Sequence, residues 1–188
     1  MNKTIKLDSK QGIFFTADNH FDHGNIIRYC DRPFDSLKEM NELMMEKWNN
    51  LVEPEDVVFI LGDFCFGKVD TWVWRLSHLN GQKYLALGNH DKNVPAGPFQ
   101  KIDNIFNLLI HDPEIKDGQR ITLCHYPMLS WYQSHRGSWQ LFGHVHGAMP
   151  NKPNMLTTFN QLDVGVDVHG FAPVSYQEVK EIITKQNM

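Results

Sequence analysis

Five short apolar segments of the chain end abruptly in acidic, amide or imidazole residues. These segments are 12–17, 57–62, 83–88, 120–125 and 139–144, and a sixth apolar run covers 161–168. Their length and their content of β-branched and aromatic residues predict strands. A strand followed at once by polar residues delivers those side chains to one edge of a sheet, the usual position of a site in α/β folds. The pattern therefore predicts a sheet with a functional edge.

Helical segments alternate with these strands. Ser36 and Glu39 have the spacing of a capping box in front of an apolar stripe, and they predict a helix over 37–50. A second helix is predicted over 70–81, and a third begins at Ser175. Alternating strands and helices are typical of the α/β class.

Composition narrows the class of protein further. With 188 residues and 41% hydrophobic side chains, the chain is long and apolar enough to bury a core. No repeat or linker divides it, so we expect a single domain over residues 1–188, with surface loops at 126–138 and 147–160. A formal charge of −4 argues against a broad cationic surface for nucleic acid or anionic lipid, although a single cleft can still be positive.

The sequence also carries expectations about location and redox state. It has no signal-peptide core and no uncharged apolar run of about 18 residues, so we expect a soluble, cytoplasmic protein with no membrane partner. The three cysteines are too few and too scattered for a disulfide framework. We expect them to be reduced and mostly packed.

Seven of the polar residues that follow the strands have side chains that bind divalent metal ions. They are Asp18, His20, Asp63, Asn89, His125, His144 and His146. Residues two apart on an extended chain point to the same side, so each D-x-H or H-x-H pair can present two ligands to one place. Imidazole, carboxylate and amide oxygen suit Mn, Fe, Zn or Ni, and we expect manganese; without a ligating cysteine, a purely structural zinc centre is disfavoured. Seven ligands exceed the need of one ion, so we predict two ions about 3.5–4 Å apart, with Asp63 as the natural bridge.

Taken in order, the motifs D-x-H, GD, GNHD, a lone histidine after a strand and GHxH resemble those of the calcineurin-like metallophosphoesterases. The match runs from Asp18 to His146, and the stretch 18–34 also resembles a compact bacterial and phage subgroup of that family. The resemblance implies a four-layer α/β/β/α sandwich, in which two mixed β-sheets pack face to face and helices cover both outer sides.

The resemblance also implies a role for each candidate ligand. One metal would be held by Asp18, His20, Asp63 and His146, and the other by Asp63, Asn89, His125 and His144. His90 would be the proton donor. Asp91 stands where other members carry glutamate, and we place it beside His90 as a second catalytic residue that would orient the imidazole.

The expected reaction is hydrolysis of a phosphate ester. Two dications outweigh the two ligating aspartates, so the site attracts a phosphate ester although the protein is acidic. A water held between the ions loses a proton near neutral pH and attacks phosphorus, while His90 protonates the leaving oxygen. We expect a phosphodiester rather than a phosphomonoester, from a nucleotide or a nucleic-acid end, because a general acid is present and loops can hold both sides of phosphorus.

Six further residues are candidates for contact with the substrate. They are His23, Asn25, Arg28, Arg32, Trp131 and Arg136. The first four follow the first ligand pair on a loop expected to overhang the metals, where an arginine can hold a second phosphate. The last two follow His125 and can stack on a base or hold a phosphate. A solvated arginine and an ordinary Trp/Tyr packing cluster are the alternatives.

Two other functions fit the same pattern less well. A non-catalytic scaffold can keep such a fold for protein binding, but it would be expected to lose ligands or the proton donor, and none is missing. A structural metal-binding module has no use for a bridging carboxylate and excess ligands. We therefore expect an enzyme with no obligate protein partner.

Overall fold

Two five-stranded sheets form the centre of the protein. The computed structural model describes residues 4–95, 97–148 and 159–188. In chain order its strands are β1 (Ile5–Asp8), β2 (Ile13–Thr16), β3 (Val57–Ile60), β4 (Gln82–Ala86), β5 (Lys101–Asp103), β6 (Ile105–His111), β7 (Gln119–Cys124), β8 (Trp139–Phe142), β9 (Gln161–Asp163) and β10 (Val174–Ser175). One sheet has the order β1-β6-β7-β8-β9 and the other β10-β2-β3-β4-β5. Antiparallel β6–β7 and β10–β2 pairs stand among parallel ones, so both sheets are mixed.

The main hydrophobic core lies between the two sheets. Alternate residues of β2 and β3 point into it, among them Phe15 and Phe59, whose ring centroids are 5.9 Å apart. The opposite sheet contributes Phe106, Leu123 and Leu141, and all five side chains are buried. Because each strand buries every second residue on this side, the two sheets pack face to face.

Four helices accompany the sheets in the described part of the chain. They are α1 (Asn25–Tyr29), α2 (Leu37–Leu51), α3 (Val69–Ser77) and α4 (Tyr176–Gln186). Helix α2 begins where the Ser36 hydroxyl accepts a hydrogen bond from the backbone N–H of Glu39. Helix α4 begins with a complete capping box between Ser175 and Glu178. The capping pairs in the sequence thus mark the starts of two helices correctly.

The helices cover the sheets by burying large apolar side chains. Trp48 of α2 and Trp72 of α3 join Ile60 and Leu85 in a second core on the outer side of the β2-β3-β4 region. Helix α4 contacts β2, β9 and β10, and it buries Val179 in the main core. The predicted α/β fold of two mixed sheets flanked by helices is confirmed.

The predicted strand over 161–168 is only partly correct. Residues Gln161–Asp163 form β9, and the chain then crosses from one sheet to the other. The Val164 N–H donates to β8, whereas the Val164 carbonyl accepts from Ala17 N–H beyond β2. Val166–Val168 form a 3-10 turn. A valine-rich segment is buried in either case, so the apolar pattern did not distinguish a strand from a crossing.

Other elements differ from the sequence-based prediction in ways that tertiary pairing explains. Strands β1, β5, β6 and β10 and the short helix α1 were not predicted; β1, β5 and β10 are short edge strands that exist through their neighbours. The helix predicted over 70–81 ends at Ser77. The loop at 126–138 contains a 3-10 turn, Ser134–Arg136, and most of the loop at 147–160 lies outside the described residues.

Five strands end at the same edge of the sandwich. Strands β2, β3 and β4 run parallel in one sheet, and β7 and β8 run parallel in the other. The polar motifs therefore follow the carboxyl ends of strands that are neighbours in space. Among the helices described, none has the length and apolar character needed to cross a bilayer.

Candidate metal centre

The loops after β2 and β3 run side by side and bring the first two motifs together. The backbone N–H of Asp18 donates to the carbonyl of Gly62 over 3.0 Å, and that of His20 donates to the carbonyl of Asp63 over 2.9 Å. These bonds hold the side chains of Asp18 and His20 next to that of Asp63. Rigid loops of this kind fix ligand positions before any ion binds.

The backbone at the candidate ligands is left-handed rather than extended. Positive φ angles occur at several of them: Asp18 (55°), His20 (50°), Asp63 (52°), His144 (73°) and His146 (49°). Such angles are uncommon for residues with a side chain and cluster at functional sites. The extended geometry predicted for the D-x-H and H-x-H pairs is therefore wrong. Tight turns at the strand ends aim these side chains instead.

Three imidazoles converge on one carboxylate oxygen. The Oδ2 atom of Asp63 lies 3.7 Å from His20 Nε2, 3.6 Å from His125 Nε2 and 4.0 Å from His90 Nε2. These distances are too long for hydrogen bonds, whereas two atoms that each lie about 2.1 Å from one ion are separated by about 3–4 Å. The spacing fits ligands arranged around cations.

Ligand atoms gather in two groups that share Asp18. In one group, ligand atoms of Asp18, His20 and His146 lie within 4.8 Å of one another; in the other, those of Asp18, Asp63 and His125 do. Asp63 also lies within 3.7 Å of His20, so it joins the two groups. A carboxylate between two clusters of imidazoles can serve both, which suits a pair of divalent ions.

Two buried ligand atoms lack any partner from the protein. Asp18 Oδ1 and His20 Nε2 are buried and have no hydrogen-bond partner. Burial raises the pKa of Asp18 from its ordinary 3.8 to about 8, and burial, with the neighbouring His146, lowers the pKa of His20 to about 2. A cation would compensate both atoms, because it stabilises the carboxylate and accepts the lone pair of the neutral imidazole. The residues present therefore fit a bound metal.

His125 is oriented by the backbone. Its Nδ1 lies 2.8 Å from the carbonyl of Leu61, and because a carbonyl only accepts, Nδ1 carries the proton. In the neutral imidazole the lone pair is then on Nε2, which lies 3.1 Å from the Oδ1 atom of Asn89. This hydrogen bond to a carbonyl is typical of metal-binding histidines.

Some candidate ligands are buried and others are exposed. Asp18, His20, Asp63 and His125 are buried, while Asn89 and His144 are exposed. The His144 ring packs 5.1 Å from that of His125, and its backbone N–H donates to Asp18 Oδ2 over 2.8 Å. The candidate ligands thus run from buried to exposed, and we call the space that they surround the cleft; ions held in it can remain in contact with solvent.

Asp167 is a residue of the site that sequence reasoning missed. Its Oδ2 lies 2.7 Å from His146 Nδ1. Burial lowers the pKa of His146, but the hydrogen bond to Asp167 and the charge of Asp18 outweigh it and raise that pKa. A carboxylate that holds the second nitrogen of a ligating histidine fixes its orientation. Its sequence signal was weak, because Asp167 lies inside the apolar run 161–168, whereas the other motifs follow their strands.

Arg32 holds the ligand loop and is not placed to contact a substrate. Its guanidinium is buried, with Nε 2.8 Å from Asp167 Oδ1 and Nη2 donating to the carbonyl of Asp18 over 2.7 Å. A further bond goes to the carbonyl of Asn19. The expectation of a substrate contact and the alternative of a solvated arginine are both contradicted, because the donors face the protein interior.

Asp91 occupies a different position from the one expected of it. Its carboxylate accepts backbone N–H groups of Asp63, Phe64 and Gly88 over 2.8–3.1 Å. It therefore ties the third motif to the second and positions Asp63, in place of orienting His90. Burial raises the pKa of Asp91, although these backbone N–H groups partly offset the rise.

Gly88 is required for close packing. A Cβ added at this position would overlap the Asp63 carboxylate, and at Gly62 it would come within 2.7 Å of the Gly88 backbone. The two strand ends can approach each other only without side chains. This approach lets the His90 backbone N–H donate to Asp63 Oδ1 over 2.9 Å.

The remaining substrate candidates divide into two groups. His23 lies in the site, with Nδ1 3.2 Å from His20 Nδ1, and Asn25 and Arg28 are exposed on α1 nearby. Trp131 is buried and donates its indole N–H to the Ser138 carbonyl, so it packs in the protein and cannot stack on a base. Arg136 is exposed on the 3-10 turn.

Tyr126 and Phe66 are two further residues at the cleft that sequence reasoning did not single out. Tyr126 directly follows His125, packs 4.7 Å from the His144 ring and places its hydroxyl 3.4 Å from Asn89 Oδ1. The ring of Phe66 lies 5.1 Å from that of His90. Neither position has a sequence signal beyond its closeness to a motif.

Comparison with known proteins identifies the class. The family model of the calcineurin-like phosphoesterases matches residues 12–148, which include every candidate ligand. The chain belongs to this family, as the motifs indicated.

The chain also resembles individual proteins along nearly its whole length. The chain is 31% identical to an uncharacterized protein of Methanocaldococcus jannaschii, and the match covers 94% of both chains. It is 27% identical to the Gene 66 protein of Mycobacterium phage D29, over 91% of this chain and 95% of the relative. A crystal structure of a protein of unknown function from Aquifex aeolicus has the same fold, with a TM-score of 0.67, 24% identity and coverage of 92% of this chain and 99% of that one.

Proposed function

We propose that this protein is a dinuclear metal-dependent phosphodiesterase that acts on a nucleotide or a nucleic-acid end. The family assignment supports a metal-dependent phosphoester hydrolase. The observation that carries the dinuclear proposal is the convergence of His20 and His125 on one oxygen of Asp63, beside the unpartnered oxygen of Asp18. This arrangement of negative charge and imidazole nitrogens supports the proposal of two cations.

The metals would be held by the two ligand sets that share Asp63. When bound, two divalent ions stabilise charge on the phosphoryl oxygens and lower the pKa of water towards neutrality. Manganese is the proposed ion, because a mixture of imidazole, carboxylate and amide oxygen without thiolate suits it. Asp91 and Arg32 keep the ligand loops in place through the backbone bonds described above.

His90 is the proposed general acid. Its side chain is 45% exposed, and Nε2 lies 4.0 Å from Asp63 Oδ2, so it stands at the mouth of the cleft beside the shared carboxylate. A protonated His90 would donate to the leaving oxygen and then regain a proton from solvent. Such assistance contributes about 10²–10⁴ in rate and is most useful for a basic alkoxide.

The residues that surround the site support the proposed preference for a diester. Tyr126 packs beside His144, whereas Phe66 packs beside His90 and His23 stacks on Phe66. Groups attached to phosphorus would therefore meet protein, and exposed Arg28, whose guanidinium lies 5.4 Å from the centre of the Tyr29 ring, could hold a second phosphate. A cytoplasmic location remains part of the proposal.

The proposal is tested by metal-dependent hydrolysis. The metal-free protein, loaded with manganese, should hydrolyse bis-p-nitrophenyl phosphate faster than p-nitrophenyl phosphate and should bind about two ions per chain. A ranking of cyclic nucleotides and short DNA and RNA would then define the substrate. An absence of metal-dependent hydrolysis with two ions bound would favour the alternative of a non-catalytic scaffold.

A further inference from the structure

A run of aromatic rings extends outward from His90 along one side of the cleft. The Phe66 ring lies 5.1 Å from that of His90, and His23 stacks on Phe66 with centroids 3.8 Å apart and an interplanar angle of 12°. The Tyr29 ring follows, 6.2 Å from His23. We call Phe66, His23 and Tyr29 the aromatic platform.

The platform becomes more exposed with distance from the metal centre. Phe66 and His23 are half-buried, and Tyr29 at the outer end is 63% exposed. The Arg28 guanidinium lies 5.4 Å from the centre of the Tyr29 ring. Single exposed aromatic residues are common on protein surfaces, but a connected series that begins at a candidate catalytic residue offers the outer faces and edges of its rings, against which a flat ligand can pack.

The position of His90 decides which part of a substrate meets the platform. A general acid must lie within hydrogen-bond distance of the leaving oxygen. The group attached to that oxygen therefore begins beside His90 and next reaches Phe66 and His23. Flat heterocyclic rings stack on such side chains whatever the base, because every base has a π-face.

We propose that the aromatic platform is the leaving-group subsite, and that the leaving group is a nucleoside whose base stacks on it. This inference rests on the proposed function, since it takes His90 as the proton donor. It narrows the substrate class to phosphodiesters that release a nucleoside, with little preference among bases.

Binding of an uncleavable analogue tests the platform without turnover. The first analogue is dithymidine linked by a methylenephosphonate, in which a CH₂ group replaces the leaving oxygen. The second analogue is the same molecule with an abasic sugar in place of the leaving nucleoside. Calorimetry on the manganese-loaded protein should show the base-bearing analogue binding about tenfold more tightly. Equal affinities, or no binding of either analogue, would overturn the platform.

Variants test whether the aromatic platform causes the difference in affinity between the two analogues. Tyr29→Ala should reduce the difference in affinity between the two analogues, and Tyr29→Phe should retain it. Phe159→Ala is the matched control, because Phe159 is 70% exposed but precedes β9, at the opposite end of the sheet from the site. If Tyr29→Ala leaves the ratio of the two analogue affinities unchanged, the aromatic platform is not the leaving-group subsite. Since Tyr29 is exposed, this variant should fold even if Phe66→Ala does not.

Hydrolysis separates this inference from the proposed function. If the wild-type protein cleaves the natural dithymidine diester and its abasic counterpart with equal kcat/KM, the platform is wrong and the phosphodiesterase stands. If it cleaves neither with manganese bound, the phosphodiesterase is wrong, and the analogue affinities still decide whether the platform binds a base.

Discussion

Two buried aspartates in this chain are stabilised in opposite ways. Asp112, only 3% exposed, accepts hydrogen bonds from the Tyr176 hydroxyl, the Lys180 ammonium and the Glu114 backbone N–H. Burial alone would raise the pKa of Asp112, but these donors lower it below the ordinary value. Asp18 is also fully buried, and one of its oxygens has no donor at all.

The difference separates a structural carboxylate from a functional one. Lys180 places a positive charge beside Asp112, so the Asp112 carboxylate is already compensated when the chain folds. Asp18 Oδ1 is left without a hydrogen-bond donor, and burial, only partly offset by the charge of His146, raises the pKa of Asp18 to about 8. A buried charge without compensation is costly, so it persists where a ligand completes it. Incomplete hydrogen bonding, rather than burial, therefore marks the candidate metal centre.

The largest expected effect is on metal binding. Asp63→Ala should lower metal-dependent hydrolysis by about 10³-fold or more and reduce the bound ions below two per chain, because both ligand groups meet at this carboxylate. Elemental analysis of the purified protein together with kcat on bis-p-nitrophenyl phosphate measures both. Asp112→Asn is the control: it should keep two ions, and a loss of metal from it would erase the distinction between the two aspartates.

A change at His90 should separate catalysis from metal binding. His90→Asn should retain metal but lower kcat by about 10²–10⁴ on diesters with an alkyl leaving group. The loss should be much smaller with p-nitrophenolate, which leaves without a proton. Steady-state kinetics on one substrate of each type gives the comparison, and an equal loss on both would refute the role of general acid.

The two aspartates should affect the stability of the metal-free protein in opposite directions. The raised pKa of Asp18 means that the folded state keeps a proton which the unfolded chain releases above about pH 4, so stability falls as pH rises from about 4 to about 8. Asp18→Asn should therefore raise the free energy of unfolding at pH 8 by about 1–4 kcal/mol, and the gain should shrink towards pH 4.

Asp112→Asn should do the reverse. The lowered pKa of Asp112 contributes stability that is present above its ordinary value of 3.8 and is lost as pH falls through the folded-state pKa. The substitution should cost about 1–3 kcal/mol at pH 7, since it leaves Lys180 without its buried partner. Urea unfolding in the presence of a chelator measures both variants. Destabilisation by Asp18→Asn at pH 8 would contradict the view that this carboxylate lacks compensation.

The smallest expected effect concerns the groups that hold the ligands. Arg32→Lys keeps the charge but loses the paired bonds to Asp167 and to the Asp18 carbonyl, and manganese affinity should fall about 10- to 100-fold. Calorimetric titration with manganese measures this loss. Arg120→Ala, on the opposite face of β7 from buried Ile121, should leave the affinity unchanged. An unaltered affinity in Arg32→Lys would assign Arg32 to packing alone.

The sequence was most informative about features that depend on residue type and on contacts between near neighbours in the chain. The order and spacing of the motifs identified seven candidate ligands, and the structure brings them to one cleft. The capping pairs Ser36/Glu39 and Ser175/Glu178 marked helix starts because a cap is a contact between near neighbours. The family was predicted from the order of the motifs, and the two mixed sheets flanked by helices were predicted because the resemblance to that family implies them.

Long-range contacts decided the rest. Arg32 and Asp167 are 135 residues apart in the chain, so no local pattern could reveal that they share a buried ion pair. Trp131 is buried and Tyr126, at the cleft, is exposed, although both follow the same histidine. The sequence by itself determined the chemistry available at the strand ends. Only the tertiary structure decided which charges the protein itself compensates and which need a ligand. The physical reason is that the compensating groups come from segments that meet only after folding.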